Sequence, residues 1–195
     1  MFKVLSSTAA LFGCAAILSA QAIDPDTFKV SYYANANKAG YPDATVQIIN
    51  VGTQNGAAGD ASGNLCAMIY VFSPDQELDE CCGCPVTPDG LITIDVNDDL
   101  TSNPLTGITL FSGDIKIISS TGYPTCNPRT PKPAAGIRAW ATHIQNQSHG
   151  SYFQTETAFS DSSLSADELS SLASTCAAVI KEGTGFGVCT CGTGD

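Results

Sequence analysis

Three cysteines stand almost side by side at Cys81-Cys82-Gly83-Cys84, and two more close the chain at Cys189-Thr190-Cys191. Clustered thiols can exchange disulfides, bind a soft metal, or staple a fold. Redox exchange through Cys81, Cys82 and Cys84 needs a thiolate stabilised by a helix N-terminus or a nearby cation. Here Glu77, Asp79 and Glu80 flank the block and raise thiol pKa, while Pro85 and Pro88 stand where a helix would continue. A C-C-x-C block with a C-x-C pair could also supply thiolates to zinc, copper(I) or an iron–sulfur cluster, but it lacks paired C-x-x-C knuckles. Structural disulfides are the favoured reading, with redox or metal chemistry at Cys81, Cys82 and Cys84 an alternative.

Other chemistry is sparser. The chain has two histidines, His143 and His149. A secreted hydrolase would use His143 with an acid such as Glu156 or Asp161. No G-x-S-x-G elbow and no H-E-x-x-H accompanies them. His143 shares a strand face with Ile137, Ala139 and Ala141, which points to a half-buried structural histidine, and His149 reads as a turn residue. Asp95-Val96-Asn97-Asp98-Asp99 begins like an EF-hand loop. Leu100 then stands where glycine belongs and Thr106 where the bidentate acid belongs. Asp95, Asn97, Asp98 and Asp99 remain a calcium candidate outside that motif. Trp140 with Tyr152 and Phe153 could form an aromatic platform, and Asn146-Gln147-Ser148 is a glycosylation sequon in a host that uses them.

The N-terminus sets the compartment. One early charge (Lys3), an apolar run and the ending Ala20-Gln21-Ala22 form a secretory signal peptide over 1–22. Leu11-Phe12-Gly13-Cys14 resembles an imperfect lipobox, so lipid anchoring at Cys14 is the minority reading. Cleavage after Ala22 leaves eight cysteines: Cys66, Cys81, Cys82, Cys84, Cys126, Cys176, Cys189 and Cys191. An even count in an exported chain implies a disulfide framework, and eight cysteines allow about 105 pairings. Neighbourhood in sequence favours Cys66 with Cys81 or Cys82, and Cys176 with Cys189 or Cys191. The formal charge is −11, or about −12 once Lys3 is removed. Such a chain repels nucleic acid and anionic membranes. No apolar run of membrane-spanning length follows the leader.

The elements that must hold these groups are mostly strands. Phe28–Ala34, Ala44–Val51, Cys66–Ser73, Leu91–Val96, one or two strands within Gly107–Ser119, Ile137–Gln145 and Ser151–Phe159 carry alternating or apolar strand patterns. Asp75–Gly90 has little apolar content and reads as a loop anchored by its cysteines. Gly52–Asn64 and Asn97–Asn103 read as polar loops and as interaction candidates. Tyr123–Ala135, with four prolines, reads as an extended connector pinned at Cys126. Ser165–Glu182 is the helix: Ser165-Ala166-Asp167-Glu168 is a capping box, and Leu169, Leu172, Ala173, Cys176 and Ile180 form its apolar stripe.

The block CAMIYVF…QELDECCGCPVTPDGL…DLTSNPLTG resembles a group of uncharacterised exported bacterial proteins that share this cysteine-rich stretch. The resemblance covers mainly residues 65–120 and implies export, with no activity attached. The strands and the late helix make the expected fold mainly β: one antiparallel β-sandwich over 23–195, immunoglobulin-like or similar, with a C-terminal helix and disulfide staples. The expected role is an extracellular or cell-surface binding or structural module for a protein or glycan partner, without cofactor.

Overall fold

In the computed structural model, residues 25–52, 63–101, 109–181 and 189–192 are described. The signal segment, Cys14 and most of the Gly52–Asn64 loop lie outside them.

Strands pair into two antiparallel sheets. The elements are β1 (Phe28–Ala34), β2 (Thr45–Asn50), β3 (Leu65–Phe72), β4 (Leu78–Val86), β5 (Leu91–Asp95), α1 (Val96–Asp99), β6 (Ser112–Thr121), β7 (Lys132–Pro133), β8 (Ile137–Asn146), β9 (Tyr152–Ala158), β10 (Ser160–Asp161) and α2 (Ala166–Lys181). One sheet runs β10-β1-β6-β3-β4, with β7 also on β6; the other runs β5-β2-β8-β9. The chain changes sheet between β9 and β10 at the buried Phe159. The fold is the expected β-sandwich with one long C-terminal helix.

Two cores explain why these segments became strands. Between the sheets lie Val46, Ile48, Ile69, Val71, Ile94, Ile115, Ile117, Ala139 and Ala141. On the outer face of the larger sheet, α2 adds a third layer over Phe28, Met68, Tyr70, Leu78 and Ile118. β3 is covered on both faces. That is why it reads as a continuous apolar run, whereas β5 alternates with Leu91, Thr93 and Asp95 outward. The helix begins as expected: Ser165 Oγ accepts from the Glu168 N–H at 3.0 Å. The Glu168 carboxylate accepts from Lys116 Nζ on β6 at 2.8 Å, tying the helix start to the sheet.

Two expectations are corrected. The segment Asp75–Gly90 is not a loop: its centre is β4, paired with β3 along its length. Between the buried Leu78 and Val86 at its ends, its buried positions are cysteines and the acids Asp79 and Glu80, so its sequence carries little apolar signal. Within Gly107–Ser119, where one or two strands are expected, one forms, β6, and it runs on to Thr121. The local cysteine pairings also fail. The disulfides are Cys66–Cys126, Cys81–Cys176, Cys82–Cys189 and Cys84–Cys191. The reason is strand alternation. Cys81 points to the helix-side core and meets Cys176 on α2. Cys82 and Cys84 point to the inter-sheet core and meet the tail. Cys66 also faces the helix side, so it meets the connector at Cys126 rather than a neighbour on β4.

Candidate functional site

His143 lies in the middle of β8, 1 % exposed, because β8 turns its odd-numbered residues inward. Its Nε2 is 2.7 Å from Thr157 Oγ1, and its ring stacks on Tyr32 with centroids 4.2 Å apart. The two proposed acids do not join it. Glu156 pairs in register with Thr142, so its side chain leaves the opposite face of the sheet from His143. Asp161 binds Lys29 Nζ at 2.5 Å, in a chain of ion pairs that continues through Asp26 to Arg138. His149 sits exposed in the β8–β9 turn with φ 69°. Neither named acid therefore reaches His143, which is held by its bond to Thr157 and its stack on Tyr32.

Burial pushes the His143 pKa below its usual value of 6.5, against a weaker upward pull from the Tyr32 backbone. The sign follows from linkage. The unfolded chain takes up a proton near pH 6.5 while the folded chain resists it, so stability present above that pH is lost as pH falls through the folded pKa. Urea midpoints measured at pH 7.5 and pH 5.5 should fall more for the wild type than for His143→Gln. Equal falls would show that His143 does not drive this limb.

The calcium residues divide. Carboxylate oxygens of Asp43, Asp95 and Asp98 lie within 4.8 Å of one another at one corner of the sandwich. Asp43, more than fifty residues away in sequence, is the member that sequence reading missed. Its pKa is raised by burial and by repulsion from Asp95 and Asp98, opposed by N–H bonds from Asn97 and Ala44. Asn97 and Asp99 are otherwise engaged: Asn97 Oδ1 accepts from the Asn37 N–H, and Asp99 accepts from the Asp95 N–H and from Thr190. Calcium takes about six to eight oxygens. Asp43, Asp95 and Asp98 offer three carboxylates toward such a shell.

The aromatic platform also separates. Trp140 pairs with Ala158 and Asn146 with Tyr152, so Trp140 and Tyr152 sit at opposite ends of the β8–β9 ladder, about 20 Å apart. Tyr152 instead packs on Tyr41, whose ring also carries Lys38 Nζ at 4.5 Å.

What the structure does place in the open is the edge of β9. It is the last strand of its sheet, and six of its seven residues are exposed, Tyr152 and Phe153 among them. Bonds from the Gln147 N–H to Ser151 O and from the Phe159 N–H to Ala139 O bracket its ladder. Hydrogen-bonded pairs alternate in an antiparallel ladder. Phe153, Thr155 and Thr157 therefore turn their backbone groups to β8, and Tyr152, Gln154 and Glu156 turn theirs outward. Beside this edge a cleft of about 400 Å³, lined by Tyr32, Asp114, Thr157 and Ser160, opens between the sheets. Of the interaction loops expected from sequence, residues 53–62 and 102–108 lie outside the described residues, and the start of the second forms α1.

The cysteine block is likewise split. Cys81 is bonded to α2 on one face of the sheet. Cys82 and Cys84 lie on the other, their sulfurs 3.8 Å apart. Cys81, Cys82 and Cys84 thus do not form one site.

Comparison of the chain with family models, with curated proteins and with solved structures returns no match. Four disulfides form and persist in oxidising surroundings, which fits an extracellular, covalently stabilised module. Among the described residues no helix is long and apolar enough to cross a membrane.

Proposed function

We propose that this is an exported, non-catalytic binding module that takes an extended segment of a partner protein onto the open edge of β9. The observation that supports this reading is the row of outward backbone groups at Tyr152, Gln154 and Glu156, set beside a cleft able to take side chains. Strand addition draws its affinity from main-chain hydrogen bonds and its selectivity from alternate side-chain positions. Exposed edges invite indiscriminate pairing unless charge manages them. Glu156 and the net charge of −11 do so here and favour a partner with basic flanks.

The test uses the oxidised mature chain and a random library of linear peptides. Gln154→Pro removes one outward N–H and no bond to β8, as edge strands tolerate. Peptides selected on the wild type should lose about tenfold or more in affinity for this variant, the worth of about one well-made hydrogen bond. Peptides that bind both chains equally, or ligands confined to glycans, would remove strand addition as the mode.

A further inference from the structure

β4 and the chain terminus each present a C-x-C pair, and the two pairs meet sulfur to sulfur. Cys82 and Cys84 share the inward face of β4, two residues apart, and β4 is held by its ladder with β3 whatever the state of its thiols. Cys189 and Cys191 approach from the tail and close on them. The sulfurs of Cys82, Cys84 and Cys191 all lie within 4.8 Å of one another, and Cys189 is bonded to Cys82. Cys82, Cys84 and Cys189 are buried in the apolar inter-sheet core. The other four cysteines lie in the core beyond the sheet and cannot reach this cluster.

We propose that, when reduced, Cys82, Cys84, Cys189 and Cys191 form a tetrahedral thiolate site for zinc. Zinc–thiolate bonds of about 2.3 Å set a sulfur–sulfur edge of about 3.8 Å in a tetrahedron. The Cys82–Cys84 separation is 3.8 Å, so two ligands stand at that spacing on a rigid strand. The remaining change is the opening of each S–S bond to the same edge length, with β4 kept in place by its ladder with β3. The chemistry balances with a dithiol reductant. Two equivalents each give two electrons and two protons, the two disulfides become four thiols, and two cyclic disulfides leave. Zinc binding then releases the four thiol protons. The sheet face thus has two interchangeable closures for the tail, a metal one under reducing conditions and a covalent one after oxidation. A soft thiolate set in a dry core selects zinc over calcium or magnesium.

The experiment treats the whole mature chain with a dithiol under anaerobic conditions, exchanges it out, and adds zinc alone. Native mass spectrometry reads stoichiometry, near-ultraviolet circular dichroism reads folding, and alkylation followed by peptide mapping reads which thiols are protected. The expected result is one zinc per folded chain, with alkylation at Cys82, Cys84, Cys189 and Cys191 slowed by zinc relative to the metal-free reduced chain, and alkylation at the buried Cys66, Cys126, Cys81 and Cys176 unchanged by it. Cobalt in place of zinc should give the strong thiolate charge-transfer absorption of a tetrahedral site. Cys81→Ser/Cys176→Ser should keep the metal, and Cys189→Ser/Cys191→Ser should lose it. A reduced chain that takes up no zinc overturns the proposal. So does zinc-dependent protection that includes Cys66 or Cys81, or equal uptake when the reduced chain is held in urea.

Discussion

Gly83→Ala should abolish the native fold or lower its stability by about 3 kcal/mol or more, the upper end of overpacking penalties. A Cβ at Gly83 would lie 1.7 Å from the carbonyl oxygen of Cys126 and 2.6 Å from its carbonyl carbon. These are backbone atoms, so no side-chain rotation removes the clash. Nor can the connector withdraw, because Cys126 is bonded to Cys66 on the neighbouring strand β3, and Tyr70 Oη donates to Pro128 O at 2.7 Å just beyond. The measurement is the urea midpoint of the exported protein together with its yield of native disulfides. Adding Cys66→Ser/Cys126→Ser should recover part of the loss, since an untethered connector can shift. The resulting coupling between sites in contact is read from the double-mutant cycle. A Gly83→Ala protein that unfolds at the wild-type midpoint would contradict the close crossing.

Cys81→Ser/Cys176→Ser should cost about 3 kcal/mol rather than the 4.7 kcal/mol or so expected for a loop of about 100 residues. The two cysteines are 95 residues apart. With Cys82–Cys189 intact, however, the unfolded chain already has a shorter covalent route, from Cys81 to Cys82, across to Cys189, and back to Cys176. That ring is about 15 residues long, for which the chain-entropy model gives about 3 kcal/mol. The loss should also be local. A 16-residue helix is marginal alone in water, so α2 then depends on Leu172, Val179 and the Lys116–Glu168 pair. Hydrogen exchange should therefore quicken in α2 more than in β3. A cost near the larger figure would mean that the tail disulfides do not shorten the unfolded chain.

Much of the fold was legible because burial writes a period into strands. β2 carried Val46, Ile48 and Asn50 on one face, β8 carried Ile137 to His143, and α2 announced itself by its cap and stripe; all are where expected. β4 was illegible for a physical reason. Apart from Leu78 and Val86 at its ends, its buried side chains are cysteines and carboxylates, so neither apolar run nor alternation marks it. The pairing of the cysteines was misread by proximity along the chain. Only once β4 is known to be a strand does alternation put Cys81 on one face and Cys82 and Cys84 on the other. Asp43 was missed because only the β2–β5 pairing brings it to Asp95. The open edge of β9 could not be read from YFQTETA, since whether a strand has a neighbour is a property of topology, not of its own residues.

The arrangement of β4 has a consequence for how the chain matures. Three of the four disulfides join β4 to residues 176, 189 and 191, all within the last twenty residues of the sequence. A chain that crosses a membrane N-terminus first presents Cys66, Cys81, Cys82 and Cys84 to the oxidising side long before those partners arrive. Only Cys66–Cys126 can close in the meantime, once residue 126 has emerged. Oxidation during transit therefore favours wrong pairs among the first four thiols, Cys66 with Cys81 or Cys82 among them. Correct pairing in a chain oxidised during transit would then depend on timing: either oxidation is delayed, or early wrong pairs are reopened by thiol–disulfide exchange once residues 176–191 are available.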